Sequence, residues 1–215
     1  MLLAIDTATI RASVALHDGL TLRSECSWEA ANMHTVTLMP HIAGMLGEVG
    51  LHPKDLQAIA VCIGPGSFTG VRIGVAAAKG LAAACNLPLL GIQTLDILAA
   101  AQPSDSRPLY AIFMAGRGRI GYARYRWGES GWEAESDVEI VSWNELAEKI
   151  VPPALVVGEL DAVGRTALRP LGENLFFPSP ACHLRRAGFL ADLAWQRWRA
   201  GAQSDPAALV PLYAR

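Results

Sequence analysis

Apolar residues along this chain fall into short β-branched runs that alternate with stretches of helical period. Leu2 to Ile5, Arg11 to Leu16 and Leu20 to Cys26 predict three successive strands, with Asp18-Gly19 as the hairpin turn between the last two. Asp6-Thr7-Ala8-Thr9 separates the first two as a tight polar turn. From Asn32 to Leu46, the residues Met33, Val36, Met39, Ile42, Met45 and Leu46 recur at the spacing of one helix face, with Asn32 placed as N-cap and Gly47 near the end. Ala58 to Ile63 then predicts a buried strand. Val71 to Ala84 predicts a helix of strong helix formers, stopped by Cys85-Asn86-Leu87-Pro88.

The second half repeats the plan. Gln102-Pro103-Ser104-Asp105-Ser106-Arg107-Pro108 is the clearest break in composition and sets the division into lobes at 1–104 and 105–215. Beyond it, Leu109 to Met114, Gly121 to Trp127 and Glu133 to Val141 read as strands. Ser142 caps a helix from Trp143 to Ile150, Leu155 to Gly158 is a further buried strand, and Leu184 to Ala200 is a helix with Leu190, Leu193, Ala194 and Trp198 along one face. Each half opens with strands, continues into helix and includes a β-turn-α element, which predicts an α/β fold of two lobes with weak internal duplication.

Composition narrows the function. With 52% hydrophobic and 18% charged residues among 215, the chain has the apolar content for one large core or two small ones and none of the signs of disorder. A net charge of -2 argues against gripping nucleic acid unaided, because phosphate neutralisation needs a basic excess. Neither a signal peptide nor an apolar run of membrane-spanning length is expected, so the location read from sequence is the cytoplasm, with no membrane partner. Cys26, Cys62, Cys85 and Cys182 are widely spaced and read as reduced, mostly buried residues rather than a zinc or redox set.

Candidate chemistry concentrates in Ile63-Gly64-Pro65-Gly66-Ser67-Phe68-Thr69-Gly70-Val71-Arg72-Ile73-Gly74. A strand, a glycine-rich turn and a helix in succession aim backbone N–H groups at the space over the helix start, which suits an anion or a closely approaching backbone. The turn has neither the Gly-Lys-Ser/Thr ending of a P-loop nor G-x-G-x-x-G spacing. Asp6, Thr7, Thr9, Gly64, Gly66, Ser67 and Thr69 are the candidate phosphate-binding residues. The competing reading is structural: an Asx-type turn, and glycines that let a helix start close against a strand.

Ile5-Asp6-Thr7-Ala8-Thr9, Gly64 to Gly74, Ala78-Lys79-Gly80-Leu81 and Pro211-Leu212-Tyr213-Ala214-Arg215 together resemble the TsaB (YeaZ) family, most closely over residues 1–100. The resemblance implies an actin/Hsp70/sugar-kinase-like (ASKHA) fold of two lobes and a role in making threonylcarbamoyladenosine beside the anticodon of transfer RNA. It implies a non-catalytic subunit that pairs with the TsaD transferase, supported by the ATPase TsaE, with transfer RNA reached through the complex. The two apolar helices are then the partner surface, with Met33, Val36, Met39, Ile42, Met45, Val71, Val75 and Lys79 as candidate contacts. A homodimer through the same surface is expected when the chain is alone. It is expected to hold no metal and no cofactor of its own, with ATP or ADP as the candidate ligand of the glycine turn.

Two departures from relatives bear on catalysis. TsaD-like chains carry Gly-Val-Asn-His-x-x-x-His for a metal, whereas here Gly91-Ile92-Gln93-Thr94-Leu95-Asp96-Ile97-Leu98 puts Thr94 and Leu98 at the histidine positions. Leu has no ligand atom. His34 and His41, seven residues apart on one predicted helix, read as a surface or interface pair. The family's Asp-Ala-Arg-Arg-x-Glu-Val-Tyr segment becomes Ala115-Gly116-Arg117-Gly118-Arg119-Ile120-Gly121-Tyr122, without its two carboxylates. What remains, with Arg124, Tyr125, Arg126 and Trp127, is either a base-stacking platform or a solvated edge hairpin. The rival functions are a stand-alone ASKHA-fold ATPase or phosphotransferase relying on Asp6, with Asp96 and Glu159 as helpers, and, last, a glycoprotease-like peptidase.

Overall fold

The computed structural model of the chain describes residues 1–30, 33–202 and 208–213. Its first elements are β1 (Leu2–Asp6), β2 (Arg11–His17), β3 (Leu22–Glu29), α1 (His34–Glu48), β4 (Ala58–Gly64), α2 (Phe68–Cys85), β5 (Leu89–Gln93) and α3 (Thr94–Ala100). They are followed by β6 (Leu109–Gly116), β7 (Arg119–Gly128), β8 (Gly131–Ala134), β9 (Glu139–Val141) and α4 (Trp143–Lys149). The last are β10 (Ala154–Gly158), α5 (Ala162–Leu168), β11 (Leu175–Phe176) and α6 (Ala187–Arg199). Two compact units result: Met1–Ile97 with Arg186–Tyr213, and Leu98–Arg185.

In the first unit the strands run in the order β3-β2-β1-β4-β5, with β1 antiparallel to β2 and parallel to β4. β1 is buried along its whole length because helices cover both faces of the sheet, and its sequence is accordingly apolar up to Asp6. Alternation along the edge strand β3 separates the two helical layers. Cys26 and Trp28 meet His41 and Thr37 of α1, while Glu25, in the opposite phase of the strand, accepts the Gly188 N–H of α6 at 2.8 Å. Ala187, Leu190, Ala191 and Ala194 of α6 join Leu3, Ile5, Val61 and Ile92 in one core.

That core corrects the lobe division expected near residue 104. The chain leaves the first unit at Leu98 and returns at Arg186, because the apolar face of α6 is buried on the first sheet. α2 also departs from expectation, having the length and apolar composition of a membrane span. Here Val71, Val75, Ala78 and Ala82 bury one side of it in the core of the first unit. Ser67 caps its start by accepting the Gly70 N–H, and Asn86 ends it in the left-handed conformation at φ 52°. The expected N-cap Asn32 lies outside the described residues.

The second unit builds β11-β10-β6-β7-β8, with β9 also pairing with β7. β6 is antiparallel to β7 and parallel to β10, so its central strand has the same neighbours in kind as β1. The predicted duplication is thus present as sheet topology. The strand expected over Glu133–Val141 is two, since β7 is long enough to hold β8 at one end and β9 at the other, with Ser136 between them accepting the Arg124 N–H. Ser142 and Glu145 form the capping box of α4, as the sequence predicts for the serine.

Candidate functional site

The candidate site is where the turn after β1 meets the turn that starts α2. The carboxylate of Asp6 accepts the Ala8 N–H at 2.8 Å, which fixes the first turn as an Asx turn. Thr7 Oγ1 donates to the Gly70 carbonyl at 2.7 Å, and the Ser67 N–H donates to the Ala8 carbonyl at 2.7 Å. The glycines make this approach possible. A Cβ on Gly66 would collide with the Ala8 carbonyl, one on Gly70 with the Thr7 carbonyl, and one on Gly74 with Thr7 Oγ1.

The structure brings these sequence-predicted residues together and pairs several of their groups with one another. Asp6, Thr7, Thr9 and Gly64 are buried, Gly66 is half-buried, and Ser67 and Thr69 are exposed. The Ser67 and Gly70 N–H groups are already engaged by Ala8 and by the Ser67 hydroxyl. The glycine turn therefore acts here as a packing seam for the Asp6–Thr9 turn.

The C-terminal segment covers the same turn, which motif reading did not foresee. Leu209 is buried beside Gly91 and Ile63, and the Leu212 N–H donates to the Ile63 carbonyl at 2.7 Å. Gly64, at φ +98°, lies so close that a Cβ would sit 2.6 Å from the Leu212 carbonyl oxygen. Arg72 donates to the Tyr213 hydroxyl at 2.7 Å and lies 3.5 Å over the Phe68 ring.

Two further readings change. His34 and His41 are not a surface pair. His34 is 5% exposed, bonded to the Thr9 backbone and close to Asp6, with Nδ1 lacking a partner among the described residues. Burial lowers its pKa, against the opposing influence of Thr9 and Asp6. His41 instead stacks on Trp28 with ring centroids 3.9 Å apart. The arginine and tyrosine hairpin is no open stacking platform either. Arg124 pairs with Glu135 at 3.0 Å and Arg126 with Glu133 at 3.0 Å, while Tyr122 and Tyr125 are buried. Glu139 is held below the usual carboxylate range by Lys149 and by the Tyr122 hydroxyl.

The candidate interface residues divide by face. Ile42, Met45, Val71 and Val75 belong to the core and are corrected as surface contacts, because helical spacing places them on the sheet side. Met33, Val36 and Met39 are 50%, 60% and 43% exposed, and Lys79 is half-buried. Glu159, the helper proposed after β10, accepts the Met114 N–H at 2.8 Å and pairs with Arg185 at 3.3 Å. Asp96 pairs with Arg197 at 3.1 Å.

A family model described as TsaD, tRNA N6-adenosine threonylcarbamoyltransferase, matches residues 28–187. The tRNA threonylcarbamoyladenosine biosynthesis protein TsaB of Bacillus subtilis is 31% identical over 100% of this chain and 93% of its own length. That of Escherichia coli is 38% identical over 69% of this chain and 65% of its own. The chain belongs to the TsaB (YeaZ) family. A Pseudomonas aeruginosa crystal structure, described by its similarity to peptidase YEAZ, superposes with a TM-score of 0.82 at 26% identity, over 100% of this chain and 99% of that one. EutJ of Carboxydothermus hydrogenoformans, at a TM-score of 0.53 and 12% identity over 88% of each chain, shares the fold alone. So does the AlfA filament protein, at 0.52 and 9% over 94% of this chain and 98% of that one. The fold is α/β of the ASKHA class.

Within this TsaB-family chain, the departures noted in sequence have structural partners. Thr94 is buried and its hydroxyl lies 3.2 Å from Cys62 Sγ, while Leu98 is buried. Ile120, at the position where the resemblance led to an expectation of Glu, sits in the core of the second unit. Arg117 is at the exposed tip of the β6–β7 hairpin, in the left-handed region at φ 53°.

Proposed function

We propose that this chain is the non-catalytic TsaB-type subunit of a tRNA threonylcarbamoyladenosine system in the cytoplasm, pairing with a TsaD-type transferase and working beside a TsaE-type ATPase. The observation that carries the pairing is the outer face of the first helical layer. Met33, Val36 and Met39 present exposed apolar side chains at and along α1, although the inner face of that helix is already filled by Leu38, Ile42 and Met45. Apolar side chains kept in solvent on a helix whose core face is complete suit a helical partner. In the absence of that partner a second copy would take the same face. A non-catalytic role is supported by Thr94 and Leu98, whose side chains are absorbed into packing. It is also supported by the mutual satisfaction of the two turns around Asp6. The subunit would then act on the population of competent transferase rather than on bond-making.

Reconstitution tests this: TsaD-like and TsaE-like proteins, threonylcarbamoyl adenylate, ATP and unmodified transfer RNA, with and without the chain. Modified adenosine should require the chain, and Val36→Asp with Met39→Asp should abolish it while the fold is kept. Equal modification without the chain, together with no binding to TsaD, would sink the proposal. Asp6→Asn tests the stand-alone ATPase, which predicts loss of nucleotide turnover by the isolated chain.

A further inference from the structure

Cys26 is set apart from the other three cysteines by what surrounds it. Its Sγ lies 3.7 Å from His41 Nδ1, between the edge strand β3 and helix α1, and it is half-buried. Trp28 stacks on the imidazole at 3.9 Å and 27°, and that indole is itself fixed by its N–H, which donates to Thr37 Oγ1 at 3.2 Å, one turn earlier on α1. Sequence alone scattered these residues, because Cys26 and His41 are fifteen positions apart and on different elements. Cys62 is buried against Thr94, Cys182 lies 3.5 Å from the Ser179 hydroxyl, and Cys85 ends α2.

We propose that Cys26 is a thiol-modification site that exchanges with low-molecular-weight disulfides, with His41 as its proton acceptor. The Cys26 proton passes to His41 Nδ1, and the thiolate attacks one sulfur of the disulfide. A Cys26–S bond forms as the S–S bond breaks, the departing thiolate is protonated by the imidazolium, and one half of the disulfide is reduced as Cys26 is oxidised.

Other charges nearby are directed elsewhere. On β3, Glu25 points to the opposite face and binds Arg186 and Gly188, and Glu29 pairs with Arg11 of β2. On α1, His34 is buried beside Thr9 and Glu48 is at the far end. Among the described residues of β3 and α1, the titratable group in contact with Cys26 is therefore the His41 imidazole.

The test is the rate of mixed-disulfide formation with oxidised glutathione on the intact chain at neutral pH, resolved by cysteine through peptide mapping. Cys26 should react at least about tenfold faster than Cys85 or Cys182 at neutral pH. His41→Gln should slow Cys26 by about tenfold, leaving Cys85 and Cys182 unchanged. The proposal is overturned if Cys26 in the unaltered chain reacts no faster than the other two, a comparison that needs no variant. It is equally overturned if folded His41→Gln keeps the rate.

Discussion

Gly70 and Gly80 lie on the same helix and do opposite things. A Cβ at Gly70 would strike the Thr7 carbonyl, whereas nothing lies within 4 Å of one at Gly80. Gly70→Ala should therefore destabilise the protein by about 1–3 kcal/mol through forced separation of the two turns. Gly80→Ala should stabilise it by about 0.5–1 kcal/mol, because only the unfolded chain loses freedom. Urea denaturation of the pair of variants decides it, and equal effects would refute the packing role of the glycine turn. His34 supplies the pH prediction. Its folded pKa lies below its unfolded value because burial opposes the charged ring, so the unfolded chain takes up the proton first. Its contribution is complete above the unfolded pKa of about 6.5 and is lost as pH falls below that. Denaturation midpoints should drop between pH 7 and 5, and His34→Gln should flatten that slope.

Helix α1 was legible as an element before its function was. The period of its apolar residues correctly marked a helix, yet period alone joined Ile42 and Met45 to Met33, Val36 and Met39 as a single surface. The structure separates them, because an amphipathic stripe wide enough to seat on a sheet leaves its flanks in solvent. Ile42→Ala should cost about 2–5 kcal/mol by leaving a cavity in the first core. Met39→Glu should change stability by no more than about 0.5 kcal/mol. If the proposed pairing is right, Met39→Glu will nevertheless lose the TsaD-type partner in a pull-down, while a destabilised but folded Ile42→Ala retains it. β5 and α3 were missed as elements. Their residues, Leu89 to Ala100, show no polar alternation, since they are buried on nearly every side and periodicity cannot register that.

At the scale of the molecule, the first unit closes only when the chain returns to it. Leu190, Ala191 and Ala194 arrive from α6 after the whole second unit has been made, and they complete a core that residues 1–104 leave open. A fragment of residues 1–104 should show no cooperative thermal transition by circular dichroism, and a cooperatively folded fragment would mean that α6 is dispensable. The local pattern by itself determined most of the strands and long helices, the caps at Ser142 and Asn86, the two-part α/β plan and the motifs of the TsaB family, because those depend on near neighbours in the chain. Tertiary structure decided which apolar residues of α1 face inward, that Asp6–Thr9 and the glycine turn satisfy one another, and that the basic hairpin is paired with glutamates. It also placed His34 at the site, His41 beside Cys26, and α6 on the first sheet. Each of these depends on residues far apart in sequence meeting within hydrogen-bonding or packing distance, a proximity that spacing along one segment does not encode.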